Sequence, residues 1–298
     1  MNPKLLSHHA ENLAYRSELK QRKKIVVKVG SSSLLHAETG RMDYRQIDML
    51  TRELSNIKNG GREVILVSSG ATAVGREVIH FDRRDPMDDS RITFKQACAA
   101  IGQARLMMIY QKFFSDYNQI AGQVLMTKNT VTNVLSNYNI RNTFAELLRL
   151  GVVPIVNEND SVATYEYSVG DNDHLSAMVC SLVGADLLIL LSDIEGLYTD
   201  DPRRSSNAEF IEYVDNLTEE MLQMGKGSTG SESGTGGMST KLSAAQIATK
   251  SGCDMVIASS RDLHILDDIM EGKNVGTLFR SRKDPDFDLR EYIEATMD

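Results

Sequence analysis

The run Ile25-Val26-Val27-Lys28-Val29-Gly30-Ser31-Ser32-Ser33 is a β-branched strand pattern, broken by one lysine and closed by a glycine and three serines. Such residues favour a strand, and a glycine-serine turn at its end lets backbone N–H groups point at an anion. Lys28 is the odd member: an ammonium between valines is costly to desolvate unless an anion answers it. The alternative is a lysine on a sheet edge, its stem on apolar surface and its charge in water. A second lysine poses the same question. Lys241 closes Gly234-Thr235-Gly236-Gly237-Met238-Ser239-Thr240 and opens a helical stretch from Leu242 to Ser251. A cation in the first turn of a helix opposes the helix dipole, so a bound anion would account for it. An ordinary exposed helix lysine is the competing reading.

Working outward, short β-branched runs alternate with helical periodicity. The expected strands are Ile25–Val29, Val64–Val67, Gly122–Met126, Val152–Val156, Leu187–Leu191 and Met255–Ala258. Between them the pattern predicts helices over Tyr44–Asn59, Thr93–Tyr117, Arg141–Leu150, Leu175–Val183 and Leu242–Lys250. This βαβα order predicts an α/β fold, a three-layer αβα sandwich around a mainly parallel sheet. Leu175, Met178, Val179, Leu182 and Val183 follow i, i+3, i+4 spacing, and Gly184 supplies a stop.

With 298 residues the chain has ample sequence to bury a core without staples. Its three cysteines, Cys98, Cys180 and Cys253, form no CxxC pair and read as reduced core thiols of a cytoplasmic protein. A net charge of −8 argues against a nucleic-acid binder, whose footprint would be a basic stripe. The longest apolar region, Met178 to Leu191, is interrupted by Ser181, Gly184 and Asp186, so no membrane span is expected. Residues 1–24 carry charges of both signs without an apolar core, which reads as a polar N-terminal extension, open to helix, and not as a secretory signal.

Ligands of parallel sheets bind beyond the carboxyl ends of the strands, and the polar clusters gather there. Ser68-Ser69-Gly70-Ala71 follows the second strand, Asn157-Glu158-Asn159-Asp160 ends the fourth, and Ser192-Asp193 follows the fifth. No Walker loop is present. Gly225 to Gly230 matches G-x-G-x-x-G but follows a helical stretch, Leu217 to Met224, where a dinucleotide fingerprint needs a strand. The six histidines show no metal-ligand spacing, and Asp171-Asn172-Asp173-His174 lacks the glutamate of a calcium loop, so no tightly held metal is expected.

Six motifs now stand in order: Lys28-Val29-Gly30-Ser31-Ser32, Ser68 to Ala71, Asn157 to Asp160, Gly170 to Asp173, Ser192-Asp193 with Gly196-Leu197-Tyr198, and Gly236 to Lys241. Together they resemble the amino acid kinase family, and within it the glutamate 5-kinase branch, over about Lys24 to Arg280. The resemblance implies an amino acid kinase domain over 25–280, with an amino-acid-binding lobe to about residue 170 and a nucleotide-binding lobe after it. It implies transfer of the ATP γ-phosphoryl group to the γ-carboxylate of L-glutamate, the first step of proline biosynthesis, with Mg2+ entering on the nucleotide. The residue types suit that chemistry, because a carboxylate is already an ionised nucleophile and needs charge neutralisation and alignment instead of a base.

By the same resemblance, Lys28 and Lys241 stabilise the transferring phosphoryl group and Asp173 holds both ammoniums; a plain helix cap is the other reading of Asp173. Asp160 is expected to pair with the substrate ammonium, while Ser69 and Asn172 donate to a carboxylate, with Asn157 and Asp171 in support. The nucleotide side is expected to comprise Lys28, Gly30, Ser31, Ser192, Asp193, Thr235, Gly236, Gly237, Met238, Ser239, Thr240 and Lys241. The run Gly225–Gly237 holds six glycines in thirteen residues and reads as a loop closing on the nucleotide or as a linker. Residues from Ser161 to Gly170 read as a hairpin or lid.

Many bacterial members carry a further PUA-type domain, which this sequence is too short to contain; Ser281 to Asp298 reads as a charged tail. The resemblance also implies a homo-oligomer, proline as a feedback inhibitor and hand-off of the labile product to glutamyl phosphate reductase. Two alternatives stand: a relative acting on acetylglutamate, aspartate, carbamate or a nucleotide, and a non-catalytic amino-acid sensor of this fold.

Overall fold

The computed structural model describes residues 3–80, 91–163, 171–200, 208–224 and 237–296. Its strands are β1 (Lys24–Val29), β2 (Glu63–Ser68), β3 (Ile120–Met126), β4 (Val152–Glu158), β5 (Leu187–Ser192), β6 (Leu197–Tyr198), β7 (Phe210–Ile211), β8 (Tyr213–Val214), β9 (Asp254–Ser259) and β10 (Thr277–Phe279). Eight of them form one sheet in the order β3-β4-β2-β1-β5-β9-β10-β8, all pairs parallel except β9 with β10. Each of the six strands expected from β-branched runs is present. Buried on both faces, parallel strands read as continuous apolar stretches, which makes them legible.

The described helices are α1 (Pro3–Glu18), α2 (Ser31–Leu34), α3 (Tyr44–Asn59), α4 (Ala71–Val78), α5 (Ile92–Asp116), α6 (Lys128–Thr132), α7 (Val134–Arg149), α8 (Asn172–Val183), α9 (Glu219–Met224), α10 (Met238–Lys250), α11 (Ile265–Met270) and α12 (Leu289–Thr296). Four differ from the expected bounds: α5 is shifted by one residue, α8 starts three residues earlier at Asn172, and α7 and α10 start earlier still. Helix α7 starts at Val134, before Arg141, because Asn133 caps it by accepting from the Ser136 N–H at 3.0 Å. Helix α10 starts at Met238, so Lys241 lies inside its first turn.

Side chains alternate across β1: Ile25, Val27 and Val29 join one core layer, and Val26 the other. The first layer packs against α3 and α5, through Ile47, Leu50, Leu54, Leu106, Tyr110 and Phe114. The second packs against α8 and α10, through Leu175, Met178, Val179, Leu242, Ala245 and Ile247. Two helix layers thus enclose the sheet. Each fully buried valine, leucine or isoleucine contributes about 1.5–3 kcal/mol. That burial offsets placing one lysine among them.

Glycines bring α4 and α5 into backbone contact. A Cβ on Gly75 would lie 1.9 Å from the Cys98 carbonyl oxygen, and one on Gly102 would lie 1.8 Å from that of Ala71. Among the described residues no helix is long and apolar enough to cross a membrane.

The N-terminal extension is part of this body. Arg16 on α1 is fully buried and donates to the carbonyls of Val275 (2.7 Å), Gly276 (2.8 Å) and Glu212 (2.9 Å), and to Asn12 Oδ1 (2.8 Å). Tyr15 and Arg22 both bind the buried Asp254 carboxylate, at 2.9 Å and 2.8 Å.

Candidate active site

Lys28 sits in the central strand β1, opposite Val67 on one side and Leu190 on the other, which excludes the sheet-edge reading. By alternation it points to the same face as Val26, toward α8 and α10. The carboxylate that answers it is Asp173, in the first turn of α8. Lys28 Nζ stands 2.7 Å from Asp173 Oδ1, and Lys241 Nζ donates to Asp173 Oδ2 at 3.0 Å. The side chains of Lys28, Asp173 and Lys241 are 12%, 1% and 7% exposed. One buried carboxylate therefore gathers two cations at the carboxyl edge of the sheet. The triad carries a net positive charge where an anion would be held.

The capping reading belongs to the neighbouring residue. Asp171 is the N-cap of α8, its Oδ1 accepting from the His174 N–H at 2.9 Å and lying 3.1 Å from His174 Nδ1. Burial alone would raise its pKa, yet hydrogen bonds from the His174 ring and backbone hold it down at about 2.

Asn172 joins the second half of the site. Its Nδ2 donates to Ser69 Oγ (2.7 Å) and to Asn157 Oδ1 (2.9 Å). In this arrangement both amide protons are committed and Oδ1 remains as an acceptor. Ser69, by accepting from Asn172, keeps its own O–H to donate. Asp160 lies just past β4, and burial raises its carboxyl pKa above the ordinary range.

On the other side, Gly30 precedes the short helix α2 that Ser31 opens; a Cβ at Gly30 would stand 3.6 Å from Lys28 Nζ. Ser192 ends β5 and donates to Asp193 Oδ1 at 3.1 Å. Ser32, Ser33, Asp193, Ser260 and Arg261 line an adjoining cleft of about 400 Å3. Gly237, Met238, Ser239 and Thr240 form the cap and first turn of α10, with Thr240 Oγ1 donating to the Gly237 carbonyl at 2.8 Å. Thr235 and Gly236, most of the expected glycine loop and residues 164–170 of the expected lid lie outside the described residues.

The model of the amino acid kinase family matches residues 23–259. The chain belongs to the amino acid kinase family. Among curated members, it is 49% identical over 268 residues to the glutamate 5-kinase of Carboxydothermus hydrogenoformans, covering 90% of this chain and 70% of that protein. It is 45% identical over 272 residues to the glutamate 5-kinase of Clostridium perfringens, covering 90% of this chain and 99% of that one. Solved structures share the fold: the UMP kinase of Ureaplasma parvum has a TM-score of 0.61 at 15% identity, over 87% of this chain and 99% of that chain. The isopentenyl phosphate kinase of T. acidophilum has a TM-score of 0.58 at 14% identity, over 87% and 100%.

For this amino acid kinase family member, sequence reading passed over Gln103, whose Oε1 accepts from Asn157 Nδ2 at 3.0 Å. A lone glutamine inside a long helix gives no motif. The Gly102-Gln103 pair was the available signal, because a helix glycine marks close approach.

Proposed function

We propose that this chain phosphorylates the γ-carboxylate of L-glutamate with ATP, giving L-glutamyl 5-phosphate and ADP, as the first step of proline biosynthesis. The observation that carries this reading is Asp173 bound to both Lys28 and Lys241 beside a pocket of short polar side chains. Relatives named glutamate 5-kinase, at 43–49% identity over about nine-tenths of the chain, support glutamate as the acceptor.

Glutamate lies in the pocket of Ser69, Asn157, Asp160 and Asn172. Asp160 and Asn172 Oδ1 take the α-ammonium, and the Ser69 hydroxyl donates to a carboxylate. The γ-carboxylate oxygen forms a bond to the γ-phosphorus as the bond to the bridging oxygen of ADP breaks, and no proton moves. Attack of an anion on a polyphosphate is opposed by charge, so the two ammoniums stabilise the equatorial oxygens while Asp173 keeps them in place. Mg2+ enters with ATP, held by phosphate oxygens and water. Gly30, Ser31 and the first turn of α10 approach the phosphates through backbone N–H groups, with Ser192 and Asp193 on the nucleotide side.

The finer reading divides the domain into a glutamate lobe to about residue 170 and a nucleotide lobe after it, and places a homo-oligomer in the cytoplasm. Proline competes for the glutamate pocket, and the labile acyl phosphate passes to a reductase. ATP consumption with hydroxylamine as trap, across glutamate, acetylglutamate and aspartate, tests the reading. Glutamate-dependent γ-glutamyl hydroxamate is the expected product; preference for another acceptor, or ligand binding without ADP formation, contradicts it.

A further inference from the structure

The polar side chains behind the acceptor pocket form a chain with one direction. It is anchored by a group that can only donate: the Glu158 backbone N–H lies 2.9 Å from Asn157 Oδ1 and marks that oxygen as the acceptor end of the amide. Asn157 Nδ2 must then point the other way, where it donates to Gln103 Oε1 at 3.0 Å. Gln103 Nε2 in turn faces Gln123 Oε1 at 3.4 Å. On the pocket side Asn157 Oδ1 also accepts from Asn172 Nδ2, whose other proton goes to Ser69 Oγ. Each link leaves the next atom one role, and the last is a serine hydroxyl whose proton has no acceptor among the described residues.

We infer that Gln103 is a positioning residue of the acceptor pocket, holding the Asn157 amide in the orientation that leaves Asn172 an acceptor and Ser69 a donor. The inference rests on the reading that Ser69, Asn157 and Asn172 receive the acceptor substrate. Gln103 and Asn157 are 8% and 3% exposed, so water is a poor substitute partner for Asn157 Nδ2. The place of Gln103 is set by its neighbour: Gly102 lets α5 touch the backbone of α4 at Ala71, two residues beyond Ser69. Without an acceptor at position 103 the Asn157 amide keeps the Glu158 N–H at its oxygen but buries an unpaired Nδ2, which weakens the hold on its orientation. An inverted amide would set Asn157 NH2 against Asn172 NH2 and disrupt the donor and acceptor pattern offered to an amino acid.

The experiment is steady-state hydroxamate kinetics of Gln103→Leu and Gln103→Glu, with thermal midpoints taken alongside. Leucine removes the acceptor, whereas a glutamate side chain keeps one in either protonation form. For Gln103→Leu the KM for glutamate rises about tenfold or more while the KM for ATP stays within about twofold. Gln103→Glu keeps the glutamate KM within about threefold of wild type. A glutamate KM within twofold of wild type for Gln103→Leu overturns the inference while leaving the glutamate kinase reading intact. If Gln103→Leu does not fold, Gln103→Glu decides, and a loss of tenfold or more there overturns it. Wild-type protein that makes no γ-glutamyl hydroxamate overturns both.

Discussion

Lys28 Nζ, on the middle strand of the sheet, stands 2.7 Å from Oδ1 of Asp173, on the first turn of a helix that follows it by some 140 residues. The opposite oxygen of the same carboxylate binds Lys241. Two ammoniums held by one carboxylate make a preorganised anion site, since the cations are in place before phosphate arrives. Asp173→Asn leaves both buried cations without their counter-charge. Its expected effects are a fall in kcat of about 100-fold or more and a Tm lower by several degrees, read by hydroxamate formation and calorimetry.

Asp160 pulls stability and function apart. A carboxyl whose pKa is raised on folding costs stability as the pH rises above its ordinary value, in full above the raised one, and burial raises Asp160. Asp160→Asn therefore raises Tm at neutral pH, and the gain shrinks as the pH falls through the raised pKa toward the ordinary carboxylate range. The same change raises the glutamate KM about 30-fold or more by removing the partner of the α-ammonium. Thermal melts from pH 4 to 8 and a glutamate titration measure the two effects.

Gly30→Ala separates fold from phosphate access. The φ of Gly30 is −82° and a Cβ there meets Lys28 Nζ at 3.6 Å and Ser32 Oγ at 3.7 Å, so alanine fits without strain. Its methyl group stands 3.6 Å from the Lys28 ammonium, which in the proposed function receives phosphate. The expected result is an unchanged or slightly higher Tm, with kcat/KM for ATP down about tenfold or more and glutamate affinity unaltered.

Arg16 measures what the N-terminal helix contributes. Arg16→Ala removes the guanidinium donor from the Val275 and Gly276 carbonyls and one of two donors from that of Glu212, and is expected to cost about 3 kcal/mol of stability. Arg16→Lys recovers only part, because an ammonium lacks the fork that reaches carbonyls on two sides. Glutamate and ATP KM values are expected to stay unchanged, as Asn12, Val275, Gly276 and Glu212, which Arg16 binds, are none of the proposed site residues. Urea unfolding with parallel kinetics tests this.

What was legible in the sequence follows from where the signal is stored. Lys28 is conspicuous because a strand buried on both faces has no ordinary use for a lysine, and the six long strands declare themselves as apolar runs. Strands β6, β7, β8 and β10 span two or three residues, too short for any period. Helix α4 hides behind Ser69-Gly70, where Gly70 at a φ of 108° reads as a turn but in fact starts a helix. Arg16 looks like one charge among many in a polar segment; only the carbonyls of Glu212, Val275 and Gly276, just ahead of β8 and β10, reveal its use. The sequence leaves the donor and acceptor roles of Asn172 open, because an amide offers both. Its neighbours Asn157 and Ser69, brought together by folding, decide which end faces the substrate.

The central claim is that Lys28 and Lys241 act together on the migrating phosphoryl group, and the rate of γ-glutamyl hydroxamate formation by Lys28→Met, Lys241→Met and the double variant tests it most directly. Each single change is expected to lower kcat about 100-fold or more with the glutamate KM little altered, and the double change to add little beyond the worse single one. A double variant that keeps more than about a tenth of the wild-type kcat contradicts the account.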